Sequence, residues 1–183
     1  GHERLSRTYD PLAVRQLILQ SHYRSPIDFS DAALSAAQSG YDRITEAVTG
    51  VRKQKDKAPA GAADAKITEQ LAGAEEKFVA AMNDDLNTSI ALSVLFELVK
   101  TATQVLGREE TTAGTLEAID GMFRRLGGEV LGIVKEEYPQ AAGGDELLLD
   151  HLIGMMIEQR RTARANKDFS AGDKIRDQLA EFG

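Results

Sequence analysis

The 183-residue sequence is 42% hydrophobic and 28% charged, with 22 basic and 29 acidic side chains and a net charge of -7. Those fractions are ordinary for a globular chain and exclude collagen-like, fibrous and wholly disordered classes. The absence of cysteine excludes disulfides, thiolate catalysis and Cys-ligated zinc, and is compatible with a reducing, cytoplasmic setting. No apolar run approaches the ~20 residues that span a bilayer, so no membrane partner is expected. The polar start Gly1-His2-Glu3-Arg4 is unlike a secretory signal, and Gly1-His2 reads as a processed tag.

Alanine, leucine, glutamate, glutamine, lysine and arginine dominate, and runs of β-branched and aromatic residues are missing. These are helix formers, so an all-α fold is expected. Asp10-Pro11 opens a lead-in helix, with aspartate taking free first-turn amides and proline giving up an N–H that has no helical partner. Val14, Leu17, Ile18 and Ser21 are expected to share its buried face, and Ser25-Pro26 to end it. Ser30 caps a second helix whose Leu34, Ala37, Tyr41, Ile44, Val48 and Val51 fall in alternating steps of three and four, the seam of a helix lying along another.

Residues 52–66 contain no large apolar side chain and read as a flexible linker between antiparallel helices. A third helix carries Ile67, Leu71, Ala74, Phe78 and Met82 and ends in Asn83-Asp84-Asp85. Asn87-Thr88 opens a fourth, whose stripe of Leu92, Leu95, Phe96, Val99 and Leu106 is widened by Ile90, Val94 and Leu98. It should be the most buried helix, stopped by Gly107. In the fifth, Leu116, Ile119, Phe123, Leu126 and Val130 keep the same spacing until Gly127-Gly128 bends the chain. Residues 139–144 form a connector. A sixth helix over Leu149, Leu152, Met156 and Ala163 turns basic, and Ser170-Ala171-Gly172-Asp173 caps a seventh with Ile175, Leu179 and Phe182.

No catalytic or metal-ligating constellation is present. His2, His22 and His151 are far apart, and neither Gly127-Gly128 nor Gly143-Gly144 leads into a phosphate-binding Gly-Lys-Ser/Thr. Asp84-Asp85 reads as acids before a helix start rather than a cation site. Charge is unevenly spread. Residues 1–63 carry 9 basic and 7 acidic groups, 64–158 carry 7 and 18, and 159–183 carry 6 and 4. A polyanion would be repelled by the middle and drawn to the ends. Arg160, Arg164 and Lys167 stack along one helix face beside Arg161, a row suited to phosphates, although a solvated helix end reads the same.

Four segments resemble the cysteinyl-tRNA synthetase family. Tyr9-Asp10-Pro11-Leu12-Ala13-Val14-Arg15 with His22-Tyr23-Arg24-Ser25-Pro26-Ile27-Asp28-Phe29-Ser30 is similar to the stretch after that family's KMSKS loop. Phe78-Val79-Ala80-Ala81-Met82-Asn83-Asp84-Asp85-Leu86-Asn87-Thr88, continuing to Leu98, is similar to its helical-bundle domain. Arg160 to Phe169 and Asp173 to Leu179 are similar to its distal hairpin. Departures are the alanine-rich 52–66 segment and Ser89, where the family commonly has proline.

The resemblance implies a C-terminal piece: a stem-contact segment over 1–29, a DALR-type anticodon-binding helical bundle over 30–144, and a helical hairpin over 145–183. It implies a parent enzyme that activates cysteine with ATP and magnesium, with zinc in an upstream catalytic domain, and charges tRNA(Cys). This piece would hold no cofactor or catalytic residue, be monomeric, and position tRNA through Arg160, Arg161, Arg164 and Lys167, with Arg24 and Lys174 behind them. Tyr9, Arg15 and Tyr23 would serve packing or the domain junction. Two rivals stay open: a paralogous cysteine–amino-sugar ligase of mycothiol synthesis, which lacks the distal hairpin, and a non-catalytic adaptor whose 34–51 seam packs on a partner protein.

Overall fold

Each α-helix in the computed structural model, which describes residues 8–108 and 110–138, begins at a polar side chain that accepts a free backbone amide. Asp10 accepts from Leu12 N at 2.8 Å to start α1, Pro11–Gln20. Ser30 accepts from Ala33 N at 3.2 Å to start α2, Asp31–Lys55. Asp64 accepts from Lys66 and Ile67 to start α3, Ala65–Asn83, and those two amides, Ile67's first, hold its carboxyl below the usual carboxylate range. Asn87 starts α4, Thr88–Leu106, and Thr112 starts α5, Ala113–Met122. No strand occurs among the described residues, so the expected all-α class holds there. The sixth and seventh helices expected beyond residue 138 lie outside the described residues.

Burial follows the seams. All six α2 residues of the predicted stripe are buried, and Ala47 joins them. They pack inside this chain, against α1, α4 and α5, so the seam has no need of a partner protein. On α3, Ile67, Leu71, Ala74 and Phe78 are buried as expected, but Ala81 rather than Met82 closes the row. α4 has eight buried residues and touches α1, α2 and α3, which makes it the central helix. By length and mean hydropathy, 1.4 over its best window, α4 could cross a membrane. Its burial among three helices is that of a core helix.

Three local expectations are corrected. α1 buries Ala13, Gln16 and Leu17, while Ile18 stays 47% exposed; Gln16 Nε2 donates to Ala37 O at 3.2 Å, and its Oε1 is buried without a hydrogen-bond partner. α1 stops before Ser25-Pro26 as expected, but already at Gln20, which leaves Ser21 as the cap rather than on the helix face. Val130 faces out because residues 123–130 are π-helical, and the wider turn brings Leu131 to the core instead. The close packing is at Gly127: a Cβ there would lie 2.5 Å from Val134 Cγ2.

The 52–66 stretch is not a free linker. α2 continues through Lys55, and the following strap is held by backbone bonds where side chains offer none. Ala113 N donates to Pro59 O at 2.9 Å, Gly114 N to Gly61 O at 3.2 Å, and Asp64 N to Thr115 Oγ1 at 3.0 Å. Nor does the strap join neighbouring antiparallel helices: α3 packs chiefly on α4, with α5 as its second neighbour. A Cβ at Gly114 would run into Gly61 O and the amide of Ala63. Helix propensity alone favours alanine there by at most ~1 kcal/mol, whereas displacing a packed backbone costs about 1–3 kcal/mol. Gly114→Ala is therefore expected to lower stability by ~1–2 kcal/mol in urea unfolding. A stabilised variant would show that the strap gives way freely.

Candidate functional site

α1 is fastened to the rest of the described bundle at its N-terminal end and at its middle. Tyr9 Oη donates to Asp31 Oδ1 at 3.0 Å, Asp10 N donates to Gln38 Oε1 at 2.9 Å, and Arg15 Nη1 donates to Gly132 O at 3.0 Å. Gly132 has φ +66, a backbone position that favours glycine, and its Cα lies directly against the Arg15 guanidinium. Residues 8–137 fall within one compact unit.

Beyond α1, His22-Tyr23-Arg24 forms a tight turn closed by Ser25 N donating to His22 O at 2.8 Å. The three side chains turn to one place. The His22 and Tyr23 rings stack with centroids 4.7 Å apart, and the Arg24 guanidinium lies 5.1 Å from the Tyr23 centroid. All three then meet Asp85, sixty residues on, in the loop between α3 and α4. Tyr23 Oη donates to Oδ1 at 2.8 Å, Arg24 Nη2 stands 3.4 Å from Oδ2, and His22 Nε2 is 3.6 Å from Oδ2. The Asp85 hydrogen bond, which needs the phenol's proton, is the main reason the Tyr23 pKa is raised.

The loop that presents Asp85 is wound unusually. Asp85 and Leu86 have φ of 52° and 55°, consecutive non-glycine residues in the left-handed region. Each costs ~1–2 kcal/mol there. The turn is held by Asn87 N donating to Ala81 O at 3.0 Å and Asp84 N to Ala80 O at 3.0 Å, which cap the end of α3. Around it the surface is open and partly apolar: Tyr23, Leu86 and Ile90 are 58%, 57% and 48% exposed.

A second charged cluster is buried. Asp120 accepts from Arg52 Nε at 2.8 Å, Arg124 Nη2 at 2.7 Å and Lys55 Nζ at 3.3 Å. Burial pushes its carboxyl up, but hydrogen bonds from Arg124 and Arg52 outweigh that and the net pKa is lowered. Arg52 also donates to Lys135 O at 3.0 Å and Glu136 O at 2.7 Å, tying α2 to the segment after the π-helical turn. This cluster fastens α2 to α5 and to the segments that follow it. Between α2 and α4 lies an open groove lined by Arg43, Glu46, Ala47, Val99, Lys100, Thr103, Gln104 and Leu106, where the Thr103 hydroxyl donates to Val99 O at 2.9 Å.

Of the residues expected to contact RNA, Arg24 is exposed and paired with Asp85. Arg160, Arg161, Arg164, Lys167 and Lys174 lie outside the described residues. No group of three His, Asp or Glu among the described residues is placed to hold a metal. The pairings of Arg24 with Asp85 and of Arg52 with Asp120 are not legible in the sequence because they span sixty residues or more, whereas Arg124 and Asp120 stand at a helical i,i+4 spacing that could have signalled theirs.

Comparison with known proteins fits this anatomy. A family described as the DALR domain matches residues 77–135, from late α3 through the turn after the π-helical segment. The chain is 39% identical to a cysteine–tRNA ligase of Chlorobaculum tepidum over 178 residues, 96% of this chain and 35% of that protein. It is 37% identical to the cysteine–tRNA ligase of Bacteroides fragilis over 184 residues, covering 100% of this chain and 36% of the relative. A third cysteine–tRNA ligase, from Shouchella clausii, is 36% identical across 94% of this chain. The chain thus spans about a third of the length of these relatives.

Proposed function

We propose that this chain, which belongs to the cysteine–tRNA ligase family and carries a DALR domain, is the part of such an enzyme that positions tRNA(Cys) for charging in the cytoplasm. The observation that carries the proposal is the alignment of 96–100% of the chain with these ligases, through both the His22-Tyr23-Arg24 segment and the DALR domain. Chemistry on the aminoacyl ester would occur elsewhere, on a catalytic domain joined in cis, where the family resemblance also puts ATP, magnesium and zinc. No step assigned to this chain passes through those groups. Its own task is entropic: holding the RNA in one orientation lets the acceptor end react as if tethered.

Contacts of that kind fall mainly on phosphates and RNA shape. The proposed contact residues are Arg160, Arg161, Arg164 and Lys167, with Arg24 and Lys174. The distal stretch 159–183 has two more basic than acidic groups, against an excess of eleven acids over 64–158, so an RNA would be steered toward the former. The proposed division is a stem-contact segment over 1–29, a helical bundle over 30–144 and a distal hairpin over 145–183. The cysteine–amino-sugar ligase alternative is disfavoured, since the relatives described above are all cysteine–tRNA ligases.

The test is direct. The 183-residue chain mixed with cysteine, ATP and tRNA(Cys) is expected to make no cysteinyl-tRNA, yet to bind the tRNA weakly. Cysteinyl-tRNA formed by this chain alone would refute the division of labour. Equal binding of tRNA(Cys) by the chain and by an acidic protein of like size would refute the RNA role.

A further inference from the structure

We propose that His22, Tyr23 and Arg24 form an anion site for an RNA phosphodiester, and that Asp85 occupies this site as a built-in competitor until RNA displaces it. The inference rests on the RNA-positioning reading above and adds a second contact point with its own regulation. Two donors and a ring nitrogen converge on one carboxylate: the Tyr23 phenol donates at 2.8 Å, the Arg24 guanidinium stands at 3.4 Å, and the His22 imidazole lies near at 3.6 Å, beyond hydrogen-bond distance. That set, with a stacked pair of rings behind it, suits a tetrahedral phosphate as well as it suits a planar carboxylate.

Two observations separate a competitor from a simple pin. First, the pairing is open to solvent: Asp85 and Arg24 side chains are 50% and 69% exposed. Water and a second anion can reach every member, and exposed ion pairs are readily broken. Second, the loop that carries Asp85 is held by its own backbone bonds, Asn87 N to Ala81 O and Asp84 N to Ala80 O, so it does not need the carboxylate contact to keep its shape. A buried carboxylate would be expected of a pin, and Asp120 in the same chain is buried. Asp84 supplies the internal control: it stands beside Asp85 and carries the same charge, but its backbone amide caps α3 and its side chain is not one of the triad's partners.

The experiment measures binding of a tRNA(Cys) transcript to this chain against salt for the wild type, Asp85→Asn, Asp84→Asn, Arg24→Gln and the double variant Asp85→Asn with Arg24→Gln. Asparagine tolerates the left-handed backbone and still accepts from Tyr23, so folding is retained, and a thermal melt checks it. Asp85→Asn is expected to tighten binding ~3–10-fold and to steepen the salt dependence by about one counterion. Asp84→Asn should change affinity less than twofold, and Arg24→Gln should abolish the gain in the double variant. Weaker or unchanged binding by Asp85→Asn would overturn the proposal. So would an equal gain in Asp84→Asn, which would mean that charge alone matters.

A parallel titration with pyrophosphate, read from the His22 ring resonances, separates the two readings. If no form binds tRNA but Asp85→Asn binds pyrophosphate at His22 more tightly than wild type, the anion site stands and the RNA reading falls. If Asp85→Asn gains neither ligand, the anion site itself is refuted.

Discussion

Asp120→Asn is expected to destabilise the folded chain by about 3 kcal/mol at neutral pH. The carboxylate is buried, and three cations from α2 and the segment after α5 depend on it: Arg52, Lys55 and Arg124. Removing one member of a buried ionic cluster costs about 3–5 kcal/mol, because the partners keep their charge without its compensation. Here the lower end applies, since Arg124 is 44% exposed and can recover water. Lys55 also retains Glu117 at 2.7 Å, the main reason its own pKa is raised.

The pH dependence has a definite sign. The folded Asp120 pKa lies below its ordinary value, so the stabilisation is present above about pH 4 and fades as pH falls through the folded value. Urea unfolding of wild type and Asp120→Asn should therefore differ most near neutrality and converge below about pH 4. A gap under about 1 kcal/mol at neutral pH would show that the cluster contributes no more than an exposed pair.

The second large effect concerns RNA. In an enzyme that contains this chain with a catalytic domain, Arg160→Glu combined with Arg164→Glu should raise the KM for tRNA(Cys) by about tenfold or more. The KM for ATP should stay within about twofold. Each reversal would remove a proposed phosphate contact and add a repulsive charge, so the salt dependence of tRNA binding should weaken by about two counterions. A parallel rise in both KM values would mean that the pair supports folding rather than RNA contact, and unchanged tRNA kinetics would remove both residues from the proposed surface.

How much of this was legible in the sequence depends on the range over which each feature is encoded. Caps are local, so Asp10, Ser30 and Asn87 announce their helices within three residues. The α2 seam is periodic and was readable to the residue. Gln16 was passed over because a polar side chain on a helix face reads as solvated, and only Ala37 O, 21 residues away, reveals its partner. The strap after α2 was misread because composition reports side-chain burial and is silent about backbone pairing such as Ala113 N to Pro59 O. The π-helical turn shifts the register that placed Val130 inward, a change no spacing rule anticipates.

The candidate site shows the same division. The His22-Tyr23-Arg24 and Asp84-Asp85 segments each carry the family resemblance, yet nothing in either one shows that Tyr23 and Asp85 hydrogen bond to each other. Their meeting depends on α1 lying against α2 and α4. Once that packing exists, the turn after α1 is brought to the loop that precedes α4.

The role proposed for this chain is to hold RNA by charge and shape without doing chemistry on it. Fluorescence anisotropy of a labelled tRNA(Cys) against this chain, from about 50 to about 200 mM salt, tests it most directly. The expected result is weak binding whose logarithm falls linearly with the logarithm of salt, with a slope of several counterions. Binding that is absent at the lowest salt, or that holds constant across the series, would contradict it.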